Sequence, residues 1–225
     1  MADFMNEQEQ VELIKNFWKR YGNWVLGLFV IIAFGLSGYQ YWQHRQEQNL
    51  NQASEMYLSL VNSANQKDMV NLTAKARFLM QNNSSSAYAG LSALILASAE
   101  ISQDDLSSAS KDLQWILTHQ KNTDLKDIAR VRLARINLEQ GEPQDAIKIL
   151  NPVSKTYFID FEMTLGDAYV LLGQNDQAAA AYQAALDQGH KISDQDPGVL
   201  NLIQMKLANL PSSLNSSQQQ TPGAK

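Results

Sequence analysis

The 225-residue chain contains no cysteine. That excludes disulfides, thiolate metal sites and cysteine nucleophiles, and it is compatible with an oxidising compartment. Histidine is nearly as scarce. His44, His119 and His190 are far apart in the sequence and fall near expected helix ends, where a solvated imidazole beside helix carbonyls is the ordinary arrangement. There is no glycine-rich phosphate loop and no serine elbow. The acidic pairs Asp104-Asp105 and Asp194 with Asp196 fall in expected turns, where aspartate caps a following helix. Positive charge is in short supply too: 18 Lys and Arg stand against 23 Asp and Glu, a net charge of −5. Without a basic run to neutralise phosphates, nucleic-acid binding is disfavoured. The expectation is therefore a protein that is not an enzyme, holds no metal or cofactor, and works by contact with other molecules.

What the chain does have is one long uncharged stretch. Trp24 to Trp42 reads WVLGLFVIIAFGLSGYQYW, and as a helix rising 1.5 Å per residue it extends roughly 28 Å, close to the apolar thickness of a bilayer. Trp24 at one end and Tyr39, Tyr41 and Trp42 at the other match the aromatic belts of the two water interfaces. A cleaved signal peptide fits poorly, because more than twenty residues with the acids Asp3, Glu7, Glu9 and Glu12 precede the apolar run. Lys15, Lys19 and Arg20 lie before the stretch, and Arg45 follows it, so the amino terminus is expected to stay in the cytoplasm.

Four regions are expected: a cytoplasmic tail over 1–21, a transmembrane helix over 22–43, an outer domain over 44–210 and a disordered tail over 211–225. In the first, Val11, Ile14, Phe17, Trp18 and Tyr21 recur at helical spacing opposite Glu9, Glu12, Lys15 and Lys19, with Asn6 and Glu9 as a capping box. This amphipathic helix is either a cytoplasmic partner surface or an anchor resting on lipid. Inside the span, Ala33 and Ser37 form a small pair four residues apart that permits close approach of another helix. Phe17, Trp18, Ala33 and Ser37 are the candidate contacts with the membrane or a membrane partner.

Glycine and proline are missing from Gln43 to Ala89, and Leu50, Ala53, Tyr57, Leu60, Val61 and Ala64 repeat at heptad-like intervals. The membrane helix is thus expected to run on without a hinge into the outer domain. A second helix is expected from about Asp68 to Gln81, broken by the run NNSSS. From Ala87 onward helix and short turn alternate, with turns at Ser102 to Asp105, Gly141 to Pro143 and Gly173 to Asn175. The segment LGDAYVLLGQNDQAAAAYQAAL, Leu165 to Leu186, carries the tetratricopeptide pattern: Gly166 at a helix crossing, Tyr169 in the pair's core, Gly173 at the turn, Ala178, Tyr182 and Ala185 on the inner face. Leu133, Ala134, Gly141, Ala146 and Leu150 repeat it in weaker form, and Leu96, Ala97, Ala109, Leu113 and Ile116 do so again, with Asp104 in place of the turn glycine. The fold class expected is all-α: three repeats in an α-solenoid, capped by helices at 46–81 and by Pro197 to Asn209.

Such a stack offers a groove lined by the first helix of each pair. By repeat position the groove-facing candidates are Leu94, Ile95, Ser98, Val131, Arg132, Arg135, Glu139, Met163, Asp167 and Val170. Arg132 and Arg135 suit a carboxylate and Met163 an adaptable apolar contact. The other reading of these positions is an ordinary mixed surface.

The amino-terminal EQEQVELIKNFWKRYG, the span ending GYQYWQ, the degenerate repeats and the late LIQMKLANL together resemble the YfgM family over Asn6 to Leu210. That resemblance implies a bacterial inner-membrane protein of single-pass type II topology, an ancillary subunit of the SecYEG translocon. It further implies a place beside the membrane-anchored chaperone PpiD, with periplasmic repeats that help pass secreted polypeptides to periplasmic chaperones. The polar extension after Pro211 departs from the family, which brings no catalytic residues. Two other functions use the same parts: an envelope scaffold for assembly or cell division, and a signalling regulator acting through residues 1–21.

Overall fold

The computed structural model describes residues 7–192 and 196–211; within its first helix only some side chains are described. Every regular element among the described residues is a helix: α1 (Glu7–Asn65), α2 (Met69–Asn82), α3 (Ala87–Ser102), α4 (Leu106–His119), α5 (Thr123–Glu139), α6 (Pro143–Leu150), α7 (Phe158–Leu171), α8 (Asn175–Gly189) and α9 (Pro197–Ala208). The chain divides into two compact units, one ending at Gln52 and one beginning at Ala53. The expected all-helical repeat architecture is present.

In the first unit α1 is unbroken, and after Trp42 no glycine or proline stands in it to interrupt it. Among the described residues no helix is long and apolar enough to cross a membrane. The crossing expected at 22–43 falls where many side chains, that of Ala33 included, lie outside the described set, as does that of Phe17 before it. The side chains that are described there are exposed: Trp24 at 81%, Phe34 at 76%, Leu36 and Tyr39 both at 60%. Asn6 of the expected capping box also lies outside the described residues, as does the expected disordered tail beyond Pro211.

The second unit is a stack of helical hairpins closed by one recurring turn. Gly141 (φ 76°) and Gly173 (φ 70°) take the left-handed conformation that glycine permits without strain. Asp104 (φ 64°) does the same in the preceding turn, as its alignment with the glycines requires. Lys67 (φ 56°) does it too, one repeat earlier. After each of the four, the next N–H reaches back to a carbonyl five residues before it: Asp68 to Ser63, Asp105 to Glu100, Glu142 to Asn137 and Gln174 to Tyr169, at 2.7 to 2.9 Å. This is the six-to-one bond that ends a helix and reverses the chain. The end of α1 with α2 is therefore a fourth hairpin, not a simple cap. Lys75 Nζ pins it by donating to the Ser59 carbonyl at 3.1 Å and the Ser63 hydroxyl at 2.8 Å.

Packing follows the small residues of the repeat. Ala97, Ala109, Ala134, Ala146, Ala168, Ala178 and Ala185 are all fully buried, letting neighbouring helices approach closely. At Gly166 the approach is closest: a Cβ there would overlap the Tyr182 ring, which is buried. One hairpin is irregular. Pro152 cuts α6 to eight residues, and the connection to α7 is held by side chains. Arg130 Nε donates to the Ile149 carbonyl at 2.7 Å, Nη2 to the Pro152 carbonyl at 2.6 Å, and the guanidinium lies 4.7 Å over the Phe161 ring. The Ser154 hydroxyl donates to Asp127, whose other oxygen accepts from Arg130 at 3.2 Å.

Between α2, α3 and α4 lies a buried charge cluster. Arg77 donates to Asp112, and its other terminal nitrogen is 3.8 Å from Glu100. Glu100 Oε2 and Asp112 Oδ2 are buried with no hydrogen-bond partner. One proton shared between the two carboxyls satisfies both. Burial first, and then the Asp112 charge, push Glu100 up to about 7; burial likewise raises Asp112.

Two outcomes follow. Gly166→Ala lowers unfolding stability by about 2 kcal/mol through overpacking against Tyr182, whereas Gly173→Ala, in open space, costs about 1 kcal/mol of backbone strain; urea titration followed by circular dichroism separates them. The folded state holds the Glu100 proton more tightly than the unfolded chain, so its contribution is present at low pH and lost as pH rises through about 7. Asp68 and Asp105, whose pKa values are lowered by capping bonds, act with the opposite sign only in more acidic solution. The Tm falls by several degrees between about pH 5 and pH 8, and Glu100→Gln flattens that fall.

Candidate binding groove

The first helices of the hairpins, the end of α1 with α3, α5 and α7, carry the equivalent positions Tyr57, Leu94, Val131 and Met163. One position further along stand Leu58, Ile95, Arg132 and Thr164. The structure sorts the ten sequence candidates into three places.

Leu94, Ile95, Ser98 and Arg132 come together around a cavity of about 800 Å³, joined by Tyr57, Lys67, Met69 and Leu91. Leu94 is mostly buried, at 6% exposure. Arg132 Nη1 donates to the Leu94 carbonyl at 3.0 Å and to the Ser98 hydroxyl at 2.5 Å. No carboxylate among the described residues pairs with it. Burial, and then the nearby Arg135 charge, hold the Arg132 guanidinium below its ordinary range.

Arg135, Glu139, Asp167 and Val170 gather at a second cavity of about 550 Å³, closed on one side by Lys206, Asn209, Leu210 and Pro211 at the end of α9. Here both cations are already paired. Arg135 pairs with Asp160 at 3.0 Å, and Asp167 Oδ1 accepts from the Tyr182 hydroxyl and from Lys206 Nζ, both at 2.6 Å. Burial, followed by this bond to Asp167, pushes the Tyr182 hydroxyl well above the usual phenol range. Tyr182 thus fills the crossing at Gly166 with its ring and positions a groove carboxylate with its hydroxyl.

The remaining two stand apart from both cavities. Val131 is 5% exposed and packs in the core with Ala134, Ala146 and Leu150. Met163 packs against Tyr182 and the start of α9, beside a smaller cavity of about 210 Å³ lined also by Ile159, Gln188 and Val199. Of the membrane-proximal candidates, Trp18 is exposed at 57% and Ser37 is exposed.

Sequence reasoning missed Tyr57, Lys67 and Lys206. The first two were findable: Lys67 and Asp104, like Asp104 and Gly141, are 37 residues apart, and that offset carries Tyr57 onto Leu94. For Lys206 the pattern of α9 gave no signal, because its partner Asp167 lies 39 residues away on another helix. His119 is stacked on Trp115 with ring centroids 4.8 Å apart, and its Nδ1 is 3.0 Å from the Trp115 carbonyl at the end of α4. Among the described residues no group of three or more His, Asp or Glu is placed to hold a metal ion.

The tetratricopeptide repeat-like domain pattern matches residues 15–212. Relatives named ancillary SecYEG translocon subunit align along nearly the whole chain. That of Haemophilus influenzae is 29% identical over 211 residues, 93% of this chain and 100% of the relative. Those of Neisseria gonorrhoeae and Escherichia coli K12 are each 28% identical over 212 residues, 93% of this chain and 100% and 99% of the relatives. The resemblance read over Asn6 to Leu210 is thus met by relatives along nearly the whole chain.

The matched charges differ in worth. Arg135→Gln breaks a half-exposed pair and changes stability by less than about 0.5 kcal/mol. Tyr182→Phe removes a charge-assisted bond from a buried ring and costs about 1.5 kcal/mol. Chemical denaturation of the two variants beside the parent checks this order.

Proposed function

The chain belongs to the tetratricopeptide repeat-like domain family, and on that footing we propose that it is an accessory subunit of the SecYEG translocon that acts by protein binding, without chemistry of its own. Residues 22–43 cross the bacterial inner membrane, residues 1–21 lie in the cytoplasm, and the repeat unit works in the periplasm. Phe17, Trp18, Ala33 and Ser37 meet the membrane and the translocon. The groove of α3, α5 and α7 receives a PpiD-like chaperone, another periplasmic chaperone or a secreted polypeptide on its way from the translocon.

The observation that carries this reading is the alignment of relatives with that printed name over 93% of the chain, spanning both the apolar segment and the repeats. The exposed Trp24, Phe34 and Leu36 on an uncharged helical stretch support the crossing, since so many large apolar groups on one helix call for a cover of lipid or protein. The Lys and Arg bias before the stretch supports the orientation. An envelope scaffold or a regulator working through residues 1–21 would leave the same helices, yet neither accounts for relatives named as translocon subunits.

The absence of native cysteine makes the test clean. In intact spheroplasts, Gln177→Cys on α8 reacts with a membrane-impermeant maleimide and Gln8→Cys reacts only after lysis. Full-length protein affinity-purified from mild detergent brings translocon subunits with it. Labelling of Gln8→Cys before lysis reverses the topology, and a purified protein free of translocon subunits removes the assignment.

A further inference from the structure

The two ends of the groove differ in charge. At the α7 and α9 end both cations named above have an internal carboxylate partner: Arg135 has Asp160, and Lys206 has Asp167. At the α1 and α3 end the cavity of about 800 Å³ is walled by apolar side chains, Tyr57, Leu91, Leu94 and Ile95 among them, and its charged lining residues are two cations, Lys67 and Arg132. Neither has a carboxylate partner among the described residues. Arg132 is half-buried, its two hydrogen bonds go to neutral oxygens, and the charge acting on it is that of a second cation, Arg135.

A desolvated guanidinium without a counter-charge in an apolar cavity is an incomplete ion pair, and a planar fork of this kind accepts a carboxylate with two parallel bonds. We infer that this end of the groove binds an apolar polypeptide segment that carries one Asp or Glu side chain, with the carboxylate on Arg132 and the flanking apolar side chains in the cavity. The volume matches a short stretch of side chains. A side-chain carboxylate fits better than a chain terminus. A terminus is captured by backbone N–H groups, whereas the turn N–H groups lining this cavity are already spent, Lys67 on the Ala64 carbonyl and Gln103 on the Glu100 carbonyl. This inference rests on the groove as the binding surface and names what that surface selects.

The test uses the full-length protein in mild detergent and fluorescent seven-residue peptides of leucine and valine, blocked at both ends, with glutamate or glutamine at the centre. The glutamate peptide binds about tenfold tighter by anisotropy, the worth of one charge-assisted pair in a partly desolvated site. Arg132→Gln removes the difference and keeps the glutamine peptide's affinity, while Arg135→Gln, whose charge is committed to Asp160, keeps the difference. Circular dichroism verifies that each variant is folded, and Ser98→Ala, which leaves the guanidinium in place, retains the preference. Equal binding of the two peptides, or a preference that survives Arg132→Gln, overturns the inference while leaving the groove a binding surface. A third peptide, the glutamine sequence with a free carboxyl end, is run beside them, and binding of that peptide alone overturns the inference in favour of a chain terminus. No binding of any peptide overturns both the inference and the groove itself.

Discussion

The repeat unit depends on one backbone reversal made four times. At Lys67, Asp104, Gly141 and Gly173 the chain enters the left-handed region, and the following N–H bonds a carbonyl five residues back. That bond ends each first helix at a fixed point, so the second helix returns at a fixed angle and the same small residues meet across each pair. These turns set the first helices side by side, and the cavities near α1 and near α9 lie along them.

On that frame the charges are distributed unevenly. α9 closes one end of the stack, and its Lys206 reaches Asp167 in the same stroke that Tyr182, locked at the Gly166 crossing, donates to it. The cations near α9 are thereby paired within the chain. The end near α1 keeps an apolar cavity with two cations. A protein that holds its partner by contact alone needs such an unsatisfied surface, because affinity comes from groups that are better paired in the complex than in the free protein.

Much of this was legible in the residues. The hairpin from Leu165 to Leu186 announced itself because glycine stands at both its crossing and its turn. The α3 to α4 pair was recoverable because Asp104 tolerates the left-handed turn almost as well. The hairpin of α1 and α2 was hidden by Lys67, a residue that seldom takes that conformation and does so here because the helices on either side hold it there. The bracket of Arg130, Asp127 and Ser154 was not readable, since Arg130 binds carbonyl oxygens that every residue has. Repeat position put Arg132 and Asp167 on the first helices, where each lines a cavity. It gave no warning that Val131, one residue before Arg132, turns into the core, because a helix advances 100° per residue and the boundary between groove and core is narrower than that.

The function we propose gives the two units different contacts: the apolar part of α1 meets the membrane and translocon, and the hairpin stack meets polypeptides. In-cell photocrosslinking from a light-activated residue at Phe34, and separately at Ile95, with partners identified by mass spectrometry, tests this division most directly. Translocon subunits or a membrane-anchored chaperone from Phe34, with periplasmic chaperones or diverse secreted chains from Ile95, are the predicted result. A single envelope-assembly protein from Ile95, with no translocon subunit from Phe34, would contradict it and make the stack a scaffold.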